Sequence, residues 1–92
     1  MERLELPETG QAFHHGHAVV AANIWERASI DDPGGPPALR AQIVVDEDRP
    51  VEVVEGDEVA IGDERWRVGE IVEDPVKRRG RVVLERSGPI AG

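Results

Sequence analysis

Residues 50–74, PVEVVEGDEVAIGDERWRVGEIVED, contain the pattern that decides the fold. Apolar and polar residues alternate within short runs, as in a β-strand, where successive side chains point to opposite faces of the sheet. Gly56 and Gly62 lie between these runs, each followed by an aspartate, and both residue types tolerate the positive φ of tight turns. The stretch therefore predicts three short antiparallel strands joined by two turns, EGDE and IGDE.

The third strand of this stretch contains an irregularity. Trp66 and Val68 share one face, but Ile71 follows out of phase with them. A β-bulge inserts one extra residue into a strand, and a glycine often marks its position. We therefore predict a bulge at Gly69. We expect Trp66 and Trp25 in the core or at its rim, because the chain has only one other aromatic residue.

The alternation continues on both sides of this stretch. Residues 38–46, ALRAQIVVD, place apolar side chains on one face of a strand. These are Leu39, Ala41, Ile43 and Val45. Residues 79–86, RGRVVLER, predict a last strand, and residues 3–6, RLEL, predict an edge strand ended by Pro7.

Residues 17–28, HAVVAANIWERA, allow two interpretations. The alanines favour a helix, but the run is short and the preceding ETGQ is a weak cap. The chain downstream is β throughout, and a strand here would complete a barrel or a sandwich. We favour a strand, and the helix remains the alternative.

These patterns predict an all-β fold, a small antiparallel barrel or sandwich of six to seven short strands. A chain of 92 residues makes one domain, which we place at residues 1–86, with a flexible C-terminal tail at 87–92. Residues 28–38, ASIDDPGGPPA, predict a projecting loop, because their glycines and prolines interrupt regular structure.

The composition restricts the possible environment of the chain. There is no cysteine, which excludes disulfides, iron–sulfur clusters and thiolate zinc sites. The opening MERLELPETG has no apolar signal-peptide segment, and no apolar run approaches the length that spans a bilayer. We therefore expect a cytoplasmic protein that does not associate with membranes.

The formal net charge of −8 is concentrated in the middle of the chain. Residues 46–64 contain nine acidic residues and one basic residue, Arg49, whereas residues 65–92 are net basic. An acidic field disfavours nucleic acid and favours a basic protein partner. The predicted partner-binding residues are Asp46, Glu47, Asp48, Asp57 and Glu58, with the loop at 31–37 as an adaptable contact. The alternatives are acidic edges that only prevent aggregation, and a homo-oligomer in which acidic and basic regions meet.

All three histidines lie in residues 13–20, FHHGHAVV. On one continuous strand, His15 and His17 would share a face and could hold a divalent metal, an arrangement that resembles the His-x-His pair of cupin barrels. The cupin-like glutamate and distant third histidine are missing here, so a polar strand start without metal is the favoured interpretation. A small-molecule-binding or metal-binding barrel is the alternative function. No other cofactor is expected.

The layout VEGDEVAIGDERWRVGEIV, followed by RGRVVLERS, resembles a family of small uncharacterised all-β proteins from actinobacteria. The resemblance implies a small β fold and an accessory role, and it adds no catalytic residues. The same order of turns and short strands resembles that of SH3-like barrels and phage connector proteins. A structural connector is therefore a third hypothesis. Ser29 and Ser87 are the only serines, and neither lies in a nucleophile elbow. The sequence thus favours a non-catalytic binding module and leaves enzymatic activity open.

Overall fold

The computed structural model describes residues 2–74, 76–77 and 79–89, and within them the chain forms eight β-strands and no helix. The strands are β1 (Arg3–Pro7), β2 (Gln11–His14), β3 (His17–Arg27), β4 (Ala38–Val45), β5 (Val51–Val53), β6 (Glu58–Ile61), β7 (Glu64–Val72) and β8 (Arg81–Pro89). The predicted all-β class is confirmed. The predicted number of six to seven strands is wrong, because His15 and Gly16 form a turn that makes residues 11–14 a separate strand, β2.

The strands form two antiparallel sheets of four strands each. The first sheet has the order β1-β8-β7-β6 and the second has the order β2-β3-β4-β5. The sheets meet beside β1, where the Thr9 amide donates to the carbonyl of Ala21 on β3 over 3.1 Å. The described strands do not close into a barrel, and of the two predicted architectures the structure has the two-sheet arrangement.

The core lies between the two sheets and is formed by the apolar faces that the alternation predicts. Trp66 is fully buried at its centre. The other large, fully buried side chains are Leu6, Val19, Ile43, Val53, Ile61, Val68, Val82 and Leu84. Trp25 is 40% exposed and lies outside this core, with the Arg27 guanidinium 4.6 Å from the centre of its ring. Trp25 thus lies at the surface, where the Arg27 guanidinium stacks on its ring.

The predicted turns and the predicted bulge are confirmed. Gly56 and Gly62 lie in the turns before β6 and β7, with φ of 95° and 63°. The pairing of β7 with β8 shifts register between Val68 and Glu70, which places the bulge at Gly69. Two further irregularities were not predicted, one between Arg65 and Trp66 on β7 and one near Asn23, at a φ of 54°, on β3.

The region that allowed both a helix and a strand is a strand, β3. The predicted loop lies between β3 and β4. Strand β8 continues to Pro89, within the segment predicted as a tail, and residues 90–92 of that segment lie outside the described residues. In the described part of the chain, no helix has the length and hydropathy that crossing a bilayer requires.

Candidate functional site

A cleft of about 310 Å³ opens between the two sheets at the edges formed by β5 and β6. We call it the edge cleft, and it is lined by Ile43, Val45, Asp48, Arg49, Val51, Glu58, Val59 and Ala60. Strands β5 and β6 are terminal in their sheets, so each pairs with only one of the other described strands. An edge strand leaves a row of amide and carbonyl groups available for a further strand.

The edge cleft combines apolar groups, two carboxylates and one guanidinium, that of Arg49. Val51 is 53% exposed there and supplies an apolar surface to the cleft. Asp48 and Glu58 supply two carboxylates at the same cleft. The cleft can hold every second side chain of an extended partner segment, while Asp48 and Glu58 pair with basic residues of that segment.

The structure brings together only two of the five predicted partner-binding acids, Asp48 and Glu58. Glu58 is also 2.9 Å from the Arg65 guanidinium and accepts a hydrogen bond from Ser87. Asp57 accepts a hydrogen bond from the Val54 amide over 3.0 Å, which closes the turn before β6. Asp57 thus has a local structural contact, and its side chain is not among those that line the edge cleft.

The other two predicted acids, Asp46 and Glu47, form the turn after β4, both at positive φ. Asp46 accepts hydrogen bonds from the His17 ring over 2.7 Å and from the Ala18 amide over 2.9 Å. These two hydrogen bonds lower the pKa of Asp46. Asp46 therefore ties the turn to β3, whereas Glu47 is exposed to solvent.

The predicted contact loop at 31–37 does not line the edge cleft. Pro33 instead lines a separate depression of about 340 Å³ together with Arg27 and Glu52. The sequence suggested one acidic surface with an adjacent loop, but the fold separates the two.

The prediction that His15 and His17 share one strand face is wrong. His15 lies in the turn between β2 and β3 at a φ of 50°, and His14 is the residue that pairs with His17 across the hairpin. The His17 ring bonds to Asp46, whereas the His15 ring stacks on that of His14 at 4.1 Å. The turn therefore separates the environments of His15 and His17.

A second candidate site surrounds His14, one of three buried polar residues in the described chain. Its Nε2 lies 2.7 Å from the Glu64 carboxylate, which also accepts a hydrogen bond from the Trp66 indole. Arg86 bridges Glu64 and Glu2, at 3.2 Å and 2.6 Å. We call the three buried side chains among these, His14, Glu64 and Trp66, the buried polar network.

The Glu64 carboxylate remains ionised inside this network. Burial raises its pKa, but the hydrogen bond from His14, the charge of Arg86 and the hydrogen bond from Trp66 together lower it below the ordinary value. Since an ionised carboxylate only accepts hydrogen bonds, His14 donates from Nε2.

Glu64 and Arg86 are not among the predicted site residues, although the sequence contains a signal for Glu64. Glu64 is in phase with Trp66 and Val68 along β7, so the alternation places its carboxylate on the buried face. A charged residue on a core-facing position needs a partner, and that requirement could have identified it. No local pattern indicates that Arg86 and His14 would be its partners.

Comparisons of the chain with known protein families, with curated proteins and with solved structures found no match. The resemblance to the actinobacterial family therefore stays a prediction.

Proposed function

We propose that this chain is a non-catalytic binding module that holds an extended, basic segment of a partner protein in the edge cleft. The supporting observation is that two edge strands, β5 and β6, border a cleft that contains both exposed apolar side chains and carboxylates. The cytoplasmic location expected from the sequence stays a prediction.

The backbone supplies the first part of the proposed recognition. A partner segment that lies along β5 or β6 can add a strand to the sheet, and its main-chain hydrogen bonds are independent of its sequence. Every second side chain of the partner segment then points to the same face of the sheet. In the cleft, the exposed Val51 offers an apolar contact.

Charge supplies the second part. Asp48 and Glu58 lie in the cleft, and Asp46, Glu47 and Asp57 lie in the two adjoining turns. With a net charge of −8, the chain attracts a basic segment and repels nucleic acid. Such complementarity mainly accelerates association and makes the affinity depend on salt.

A peptide of alternating lysine and valine, with a glutamate–valine peptide for comparison, tests the proposal. We expect the basic peptide to bind, with amide chemical-shift changes along β5 and β6. The double variant Asp48→Asn/Glu58→Gln should weaken this binding by about threefold to tenfold at low salt, since exposed ion pairs contribute modestly. High salt should remove the difference.

The matched control is Asp31→Asn/Asp32→Asn, which changes the net charge equally in the loop between β3 and β4. Equal losses in both double variants would show that only net charge matters and would contradict the edge cleft as the site. Light scattering checks the competing occupant, a second copy of the chain. Self-association abolished by the Asp48→Asn/Glu58→Gln variant would assign the cleft to a homo-oligomer instead.

A further inference from the structure

We propose that His14, His15 and Glu2 form a binding site for a divalent first-row transition metal, represented by Zn²⁺ or Ni²⁺. One ligand atom from each of these side chains lies within 4.8 Å of the other two. Two imidazoles and one carboxylate are a donor set that these metals accept. This site differs from the His15/His17 pair that the sequence suggested, and it is independent of the edge cleft.

The fold brings these residues together from distant parts of the chain. His14 ends β2 and His15 begins the turn to β3, so the hairpin presents adjacent imidazoles. Glu2 precedes β1, and β1 pairs with β8, which carries Arg86. The bond from Arg86 to Glu2 holds this carboxylate beside the two histidines.

His14 has the features of a preoriented metal ligand. Its Nε2 donates to Glu64 over 2.7 Å, so the nitrogen left to bind a metal ion is Nδ1. A carboxylate that fixes the tautomer and orientation of a ligating histidine is a general feature of protein metal sites. Glu64 is itself held by Trp66 and Arg86. These contacts fix the orientation of the His14 ring.

The other two ligands can adjust to an ion. Tetrahedral zinc places its ligand atoms about 3.3 Å apart, so the donor atoms must approach one another as the metal binds. His15 and Glu2 are both exposed, and their side chains can rotate towards the fixed His14. Arg86 bonds only Oε1 of Glu2, which leaves Oε2 as a donor atom. Glu2 and Arg86 also line an open depression of about 420 Å³, so solvent reaches the Glu2 carboxylate.

The test uses the full chain without a histidine tag, stripped with EDTA, and Zn²⁺ or Ni²⁺ alone as the probe. We expect one equivalent to bind in calorimetry and to raise the melting temperature, because an ion that binds only the folded state stabilises it. In NMR spectra, the diamagnetic Zn²⁺ should shift the imidazole signals of His14 and His15 more than those of His17, which bonds to Asp46.

His15→Asn is the decisive variant, since asparagine tolerates the positive φ of this turn and the hairpin should persist. It should weaken metal binding by about tenfold or more, and Glu64→Gln should weaken it by about tenfold through the orientation of His14. His17→Ala is the matched control and should bind as the parent chain does. Undiminished binding by His15→Asn, loss of binding in His17→Ala, or no binding by the parent chain would each overturn the proposal.

Discussion

His14 donates a hydrogen bond to Glu64 over 2.7 Å, although 50 positions separate the two residues in the chain. His14 belongs to the second sheet and Glu64 to the first, so this bond connects the two sheets inside the molecule. Trp66 contacts both partners: its ring is perpendicular to that of His14, and its indole N–H points towards Glu64. The polar pair is therefore packed directly against the centre of the core.

We expect Glu64→Gln to reduce stability above about pH 5 and to have less effect in acid. Because the pKa of Glu64 in the folded chain is below its ordinary value of 4.5, its carboxylate stabilises the fold above that pH. This contribution is lost as the pH falls through the folded-state pKa. Urea midpoints measured from neutral pH down to acid should thus differ most between parent and variant near neutrality.

Asp63→Asn is the control for this measurement, since Asp63 is an exposed neighbour with the same charge. Its pH profile should follow that of the parent chain. A parallel loss in both variants would mean that net charge, and not the contacts of Glu64, sets the pH dependence.

The two tryptophans should differ sharply in their effect on stability. Trp66→Ala removes the largest fully buried side chain and should reduce the free energy of unfolding by about 3–5 kcal/mol. Trp25→Ala removes a partly exposed ring outside the core and should reduce it by about 1 kcal/mol or less. Denaturant titrations followed by circular dichroism compare them directly. Equal losses would argue against the placement of Trp25 outside the core.

Gly62 should not tolerate a side chain. Its φ is 63°, and an added Cβ would lie 2.5 Å from Nε2 of His17. Gly62→Ala should therefore destabilise the fold by about 1–2 kcal/mol through backbone strain and displacement of His17. Gly34→Ala is the control, because nothing lies within 4 Å of a Cβ there. Thermal melts should show a clear loss for Gly62→Ala, and a loss of the same size in Gly34→Ala would contradict the steric reason.

The sequence was a reliable guide wherever a local rule applies. Alternation depends on residues two positions apart, so it predicted the buried faces of β4, β6 and β7. The turns at Gly56 and Gly62 and the bulge at Gly69 have their own residue signals. The separate strand β2 was missed because its turn, at His15 and Gly16, interrupts a run that looks continuous.

The candidate sites were predicted less well because they depend on contacts between distant residues. The acidic stretch indicated a charged surface, but only strand pairing decides that Asp48 and Glu58 border one cleft while Asp46 bonds to β3. Similarly, the histidine run indicated possible ligands, but the turn directs His15 towards His14 and Glu2.

The sequence alone therefore determined the all-β class, the faces of the main strands and the acidic character of the chain, since periodicity and composition are properties of neighbouring residues. The tertiary structure decided the eight-stranded, two-sheet arrangement, the cleft at β5 and β6, and the partnership of His14 with Glu64 and Arg86. These features depend on the free energy of packing the two sheets together. That packing brings into contact residues that are far apart in the sequence.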